Sequence, residues 1–114
     1  VRLVDLPATG MQKFGSVGIV ATALARVEED VEGFGVDVAT YAAGSLNGRH
    51  PTRLWQLFAV VSGAGWAEGA DGERVELTAG DAVLWEPGEE HASGSDAGMV
   101  AVIVQSPVSP VEAA

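Results

Sequence analysis

The sequence predicts an all-β domain, a sandwich or barrel of short antiparallel strands, on three observations. Fifteen glycines in 114 residues cut the chain into short apolar pieces, the spacing of an all-β fold. Those pieces either alternate in polarity or are rich in β-branched and aromatic residues, as strands packed on a core are. Tight-turn dipeptides such as Asp71-Gly72 and Gly80-Asp81 join neighbouring pieces and supply the positive φ that hairpin turns need.

Taken in order, Val17 to Val27 reads as an extended strand because its context is β. The overlapping stretch Ile19 to Val31 also carries helix formers, with Leu24, Val27 and Val31 at helical spacing and Gly33 as a stop,. Phe34 to Ala42 alternates: Phe34, Val36, Val38 and Thr40 fall on one face, Gly35, Asp37, Ala39 and Tyr41 on the other,. Leu54 to Ser62 is a second strand, rich in Trp, Leu, Phe and Val. Trp66 to Glu68 and Arg74 to Leu77 flank the turn Gly69-Ala70-Asp71-Gly72. Ala82 to Trp85 follows the turn at Gly80, and Met99 to Gln105 closes the domain before Pro107. One domain over residues 1–114 is expected, since compact domains cluster near ~100 to 150 residues.

Composition narrows function. Apolar residues make up 47% of the chain and charged residues 19%, enough to fold around a core. The net charge of −10 argues against a nucleic-acid or polybasic membrane binder, because phosphates would be repelled. No cysteine is present, which removes disulfides, zinc ribbons and thiol nucleophiles. The first residues lack the basic-then-apolar pattern of a signal peptide, and no uncharged run reaches the ~20 residues of a membrane span. A cytoplasmic protein is expected. No serine has a G-x-S-x-G context, and Gly63-Ala64-Gly65 precedes a strand, so it is no nucleotide loop.

Chemistry concentrates on two histidines, His50 and His91. If the strand containing Leu54 to Ser62 begins near His50, then His50, Thr52, Gln56, Phe58 and, without a bulge, Trp66 share one face. These residues are the candidate site. Gly44, His50, Thr52, Gln56 and Gly63 fall at the spacings Gly-x5-His-x-His-x3-Glu-x6-Gly, and Gly80, Gly88 and His91 at those of Gly-x5-Pro-x-Gly-x2-His. In these two stretches, about 44–63 and 80–95, the chain resembles the cupin superfamily. Thr52 stands where the family has His, Gln56 where it has Glu, and Glu86 where it has Pro.

The resemblance implies a double-stranded β-helix, the jelly-roll barrel, with a divalent metal (Fe, Mn, Ni or Zn) held by three His and one Glu. This chain keeps two of those four. His50, Gln56 and His91 are therefore the candidate metal ligands, with Glu89 or Glu90 as a possible source of a carboxylate. Thr52, Phe58 and Trp66 are the candidate ligand pocket. Two readings stand open: an oxygenase- or isomerase-like enzyme, with or without a divalent metal in the barrel, and a metal-free, non-catalytic barrel that binds or senses a small molecule. Arg49 and Arg53 can meet a carboxylate ligand or pair with surface acids. The unpaired edges of a small barrel also predict a homodimer.

Overall fold

The computed structural model describes residues 1–27 and 32–111. It comprises β1 (Ala8–Gly10), a one-turn 3-10 segment (Lys13–Gly15), β2 (Val17–Val27), β3 (Phe34–Pro51), β4 (Trp55–Glu68), β5 (Arg74–Thr78), β6 (Ala82–Trp85), β7 (Glu90–Ser95) and β8 (Met99–Ser106). The fold is all-β. The helical alternative does not hold for 17–27, because pairing with β1 and β3 outweighs the helix propensity of its alanines. Residues 28–31 of that alternative lie outside the described residues. No helix among the described residues is long and apolar enough to cross a membrane.

Two long strands close the barrel. β3 pairs with β8 over residues 35–41 and with β7 over 45–51; β4 pairs with β8 over 55–63 and with β7 over 66–68. The cycle β3, β7, β4, β8 thus returns to its start, as a jelly roll requires. Each long strand must bend where it changes partner. Gly44 (φ 75°) and Gly63 (φ 77°) sit at those two points, in a backbone region that side chains rarely adopt. A Cβ at residue 63 would also collide with the Gly98 carbonyl. The motif glycines are hinges of the barrel wall.

The interior holds Ile19, Ala39, Tyr41, Phe58, Val60, Ala67, Leu77, Trp85, Met99, Ala101 and Ile103. Burying an aromatic or branched side chain of this kind contributes ~1.5–3 kcal/mol, so this cluster carries the fold. Along β4 the inward set changes parity, from Gln56, Phe58 and Val60 to Gly65 and Ala67. The cause is a register irregularity between Val60 and Ser62, which turns the rest of the strand over.

Candidate functional site

His50 and His91 are direct register partners at one end of the β3–β7 pair, and their ring centroids lie 4.4 Å apart. Register alone does not hold them there. The turn between β6 and β7 is clamped to the link after β3: Gly88 N–H donates to the Thr52 carbonyl at 2.7 Å, and Thr52 N–H donates to the Glu89 carbonyl at 3.0 Å. Gly88 takes φ 85° in that turn. The Glu89 carboxylate accepts from the backbone N–H groups of Glu86 (3.0 Å) and Ala70 (3.3 Å), which fixes the turn further.

Each imidazole is oriented by a backbone carbonyl. His50 Nδ1 lies 2.6 Å from the Gly48 carbonyl oxygen, and His91 Nδ1 lies 3.4 Å from that of Glu89. A carbonyl only accepts, so Nδ1 donates in both rings, and the neutral His91 ring keeps its lone pair on Nε2. His91 is 1% exposed, and its Nε2 has no hydrogen-bond partner. Burial, and then the neighbouring His50, hold the His91 pKa down to about 4. It is a neutral hydrogen-bond acceptor at physiological pH.

The pair is enclosed by aromatic rings. Trp85 packs on His91 at 4.3 Å between centroids, and Phe58 and Tyr41 continue the row inward at 5.7 and 5.9 Å. On the outer side Phe14 stacks on His50 at 4.1 Å with 6° between ring planes. A cavity of about 450 Å³ opens beyond Trp85, walled by Ala67, Val75, Val83 and Glu89. Neither histidine lines it, and Trp85 is the partition.

The other candidates take varied positions. His50 and Gln56 do not share a strand, as β3 ends at Pro51 and β4 starts at Trp55. The loop-like composition of 44–51, rich in Gly, Ser and Asn, conceals that β3 runs on to His50. Gln56 is buried, and its side chain meets Thr52 Oγ1 at 3.3 Å, while that hydroxyl donates to the Leu54 carbonyl at 2.8 Å. Phe58 reaches the histidines only through Trp85. Trp66 lies on the opposite face from Ala67 because of the β4 irregularity, with the Arg74 guanidinium 3.7 Å from its ring centroid. That placement corrects its assignment to the pocket wall. Arg49 bonds to Glu90, Glu68 and the carbonyls of Gly69 and Ala70, so both Arg49 and Glu90 are engaged on the surface. Phe14 and Trp85 are the site residues that sequence reasoning passed over; no motif marks Phe14, and Trp85 reads as ordinary core.

Whether the metal that the resemblance implies fits here depends on the donor set. Tethered Nδ1 atoms with free Nε2 lone pairs are how metal-binding histidines are oriented. The count and charge fall short, however. Among the described residues no three His, Cys, Asp or Glu side chains lie close enough together to hold an ion. Glu89 and Glu90 are committed elsewhere. The residues do not fit the three-His, one-Glu centre.

A small jelly-roll barrel with paired histidines at the meeting of its two signature turns defines a class of small β-barrel domains. The cupin domain model matches residues 37–104, and the chain belongs to the cupin family. Over 56 residues it is 36% identical to an (R)-mandelonitrile lyase of Granulicella tundricola, a stretch covering 49% of this chain and 43% of that protein. The chain thus aligns to less than half the length of this curated relative. Among solved structures it resembles a cupin-like protein from Thermotoga maritima (TM-score 0.79, 20% identity, 95% of this chain and 83% of that one). It also resembles the polyketide cyclase RemF of Streptomyces resistomycificus (TM-score 0.77, 17% identity, 97% and 82%). At these identities the structural likeness shows the fold alone.

Proposed function

We propose that the protein binds a small hydroxylated organic molecule at the His50–His91 pair and promotes proton transfer from it, as a lyase- or isomerase-like enzyme. The observation that carries this reading is the buried, unpartnered Nε2 of His91. Such an atom costs free energy until a donor reaches it, and a ligand hydroxyl is a donor of suitable size. The hydroxyl donates its one hydrogen to the His91 Nε2 on binding. In the reacting complex that hydrogen turns to His50, half-buried beside it, which takes the proton. The aromatic rings around the pair suit an apolar ligand body. Oxygenase chemistry needs a metal or another activator of oxygen, and the donor set supports it less well.

The first compound to try is (R)-mandelonitrile, on the strength of the relative's activity. Loss of its hydroxyl proton to His50 forms the carbonyl of benzaldehyde as the C–CN bond breaks; cyanide leaves with that electron pair and is then protonated. The test follows benzaldehyde release above the uncatalysed rate, with His50→Ala expected to lower turnover at least 100-fold. A parent protein that neither turns over (R)-mandelonitrile nor shifts its histidine NMR signals on adding it would count against this reading. Saturable binding without turnover would instead favour the second reading, a non-catalytic small-molecule binder, which the low basicity of His91 also suits.

A further inference from the structure

We propose that the outer face of His50 is a subsite for a planar aromatic ring, and that Phe14 is its built-in occupant, displaced when such a ligand enters. This inference rests on the reading that the histidine pair is the ligand site. Trp85 packs on the pair from the inner side and Phe14 from the outer side. A ligand ring that stacks on either imidazole must move one of them.

Trp85 is 3% exposed, packs on Phe58 and lies in a strand paired with β4, so moving it disrupts the core. Phe14 is 55% exposed, and its turn buries no residue. It is also the one non-glycine residue with positive φ among the described residues (φ 59°). Strain of that kind persists only where the surroundings impose it, and is commonest at ligand clamps and switches. Here they do so through few contacts. Ser16 N–H donates to the Lys13 carbonyl at 3.0 Å, Ser16 Oγ donates to Asn47 Oδ1 at 3.1 Å and accepts from Gly48 N–H at 3.4 Å, and the Phe14 carbonyl rests on Gly48, where a Cβ would collide with it.

The ring has somewhere to go. A second cavity, of about 230 Å³, is lined by Thr9, Met11, Lys13 and Phe14 itself. The near-parallel stack on His50 shows the geometry that an incoming ring would adopt, and the ligand class follows: a planar aromatic body carrying a hydroxyl within reach of the His91 Nε2 lone pair.

Benzyl alcohol is the probe, and the full chain is titrated by NMR in the parent, in Phe14→Ala and in Gly48→Ala. The last variant unseats the turn without altering the Phe14 ring. In the parent the His50 ring protons are shifted upfield by the Phe14 ring current. We expect that shift to vanish in Phe14→Ala and to be replaced on titration of the parent. Both variants should bind benzyl alcohol about fivefold tighter, because one stacking contact no longer has to be broken first. Saturable shifts at His91 and Trp85, with weaker binding by Phe14→Ala, would make Phe14 a fixed wall and overturn the proposal while leaving the ligand site standing. No saturable histidine shift in any of the three proteins would overturn both.

Discussion

The hydroxyls of Tyr41 and Ser93 lie 2.7 Å apart across the barrel interior, at side chains that are 2% and 1% exposed. They join β3 to β7 two residues inward of His91, and burial raises the Tyr41 pKa, so the phenol stays protonated. Tyr41→Phe strands the Ser93 hydroxyl and is expected to cost ~1–3 kcal/mol, as is Ser93→Ala for the converse reason. The double variant should cost less than the sum of the two, since neither partner is then left behind. Additive losses in a denaturant series would show that the pair is not coupled.

His91 gives stability a pH dependence of defined sign. Its folded pKa, about 4, lies below the value of ~6.5 that an unfolded chain has. Between those values the unfolded state binds the extra proton, so stability is full above pH 6.5 and falls as the pH drops toward 4. The loss across that window is on the order of 3 kcal/mol. His91→Gln should flatten the profile between pH 6.5 and 4.5. A variant as pH-sensitive as the parent there would assign the effect to other groups.

Much of the fold was legible because apolar alternation and glycine punctuation are local signals. Val17–Val27, Ala82–Trp85 and Met99 onward could be read that way. β7 could not, since His91-Ala92-Ser93-Gly94-Ser95 has no apolar face of its own and is a strand only by pairing with β3 and β4. The same holds for the second half of β3, so no local signal shows that this strand, and not β4, carries His50. The two motifs still contain His50 and His91, the two rings that the barrel pairs, because their spacing encodes turns and hinges as well as ligands. Trp66 turns to the other face because of the bulge between Val60 and Ser62, which leaves no mark in composition. The Phe14 stack arises from a contact 36 residues apart in sequence, and no local pattern foretells it.

We propose that the protein pairs with a second copy along the β1–β2 ribbon. β1 ends the described sheet path, and Leu6, Val20 and Leu24 beside it are exposed apolar residues. An edge strand next to such a patch invites a further strand. Sedimentation at micromolar concentration should give the mass of two chains, and Leu24→Asp the mass of one. A parent that sediments as a single chain would refute this.

Metal affinity tests how far the donor set falls short. With two imidazoles and one amide, protein purified without a histidine tag should carry less than one equivalent of any divalent ion, and His91→Ala should carry none. Thr52→His supplies a third imidazole at the motif position, and Gln56→Glu supplies an anion. Each is expected to tighten Zn²⁺ or Mn²⁺ binding by at least tenfold. Gln56 is 7% exposed, so a carboxylate there lowers the melting temperature of the metal-free variant, by desolvation of its charge. Added metal should raise the melting temperature of Gln56→Glu more than that of the parent, because only the variant gains a charge that the ion can pair. Stoichiometric metal in the parent, or a folded Gln56→Glu whose affinity does not rise, would show that the site is completed by donors other than these.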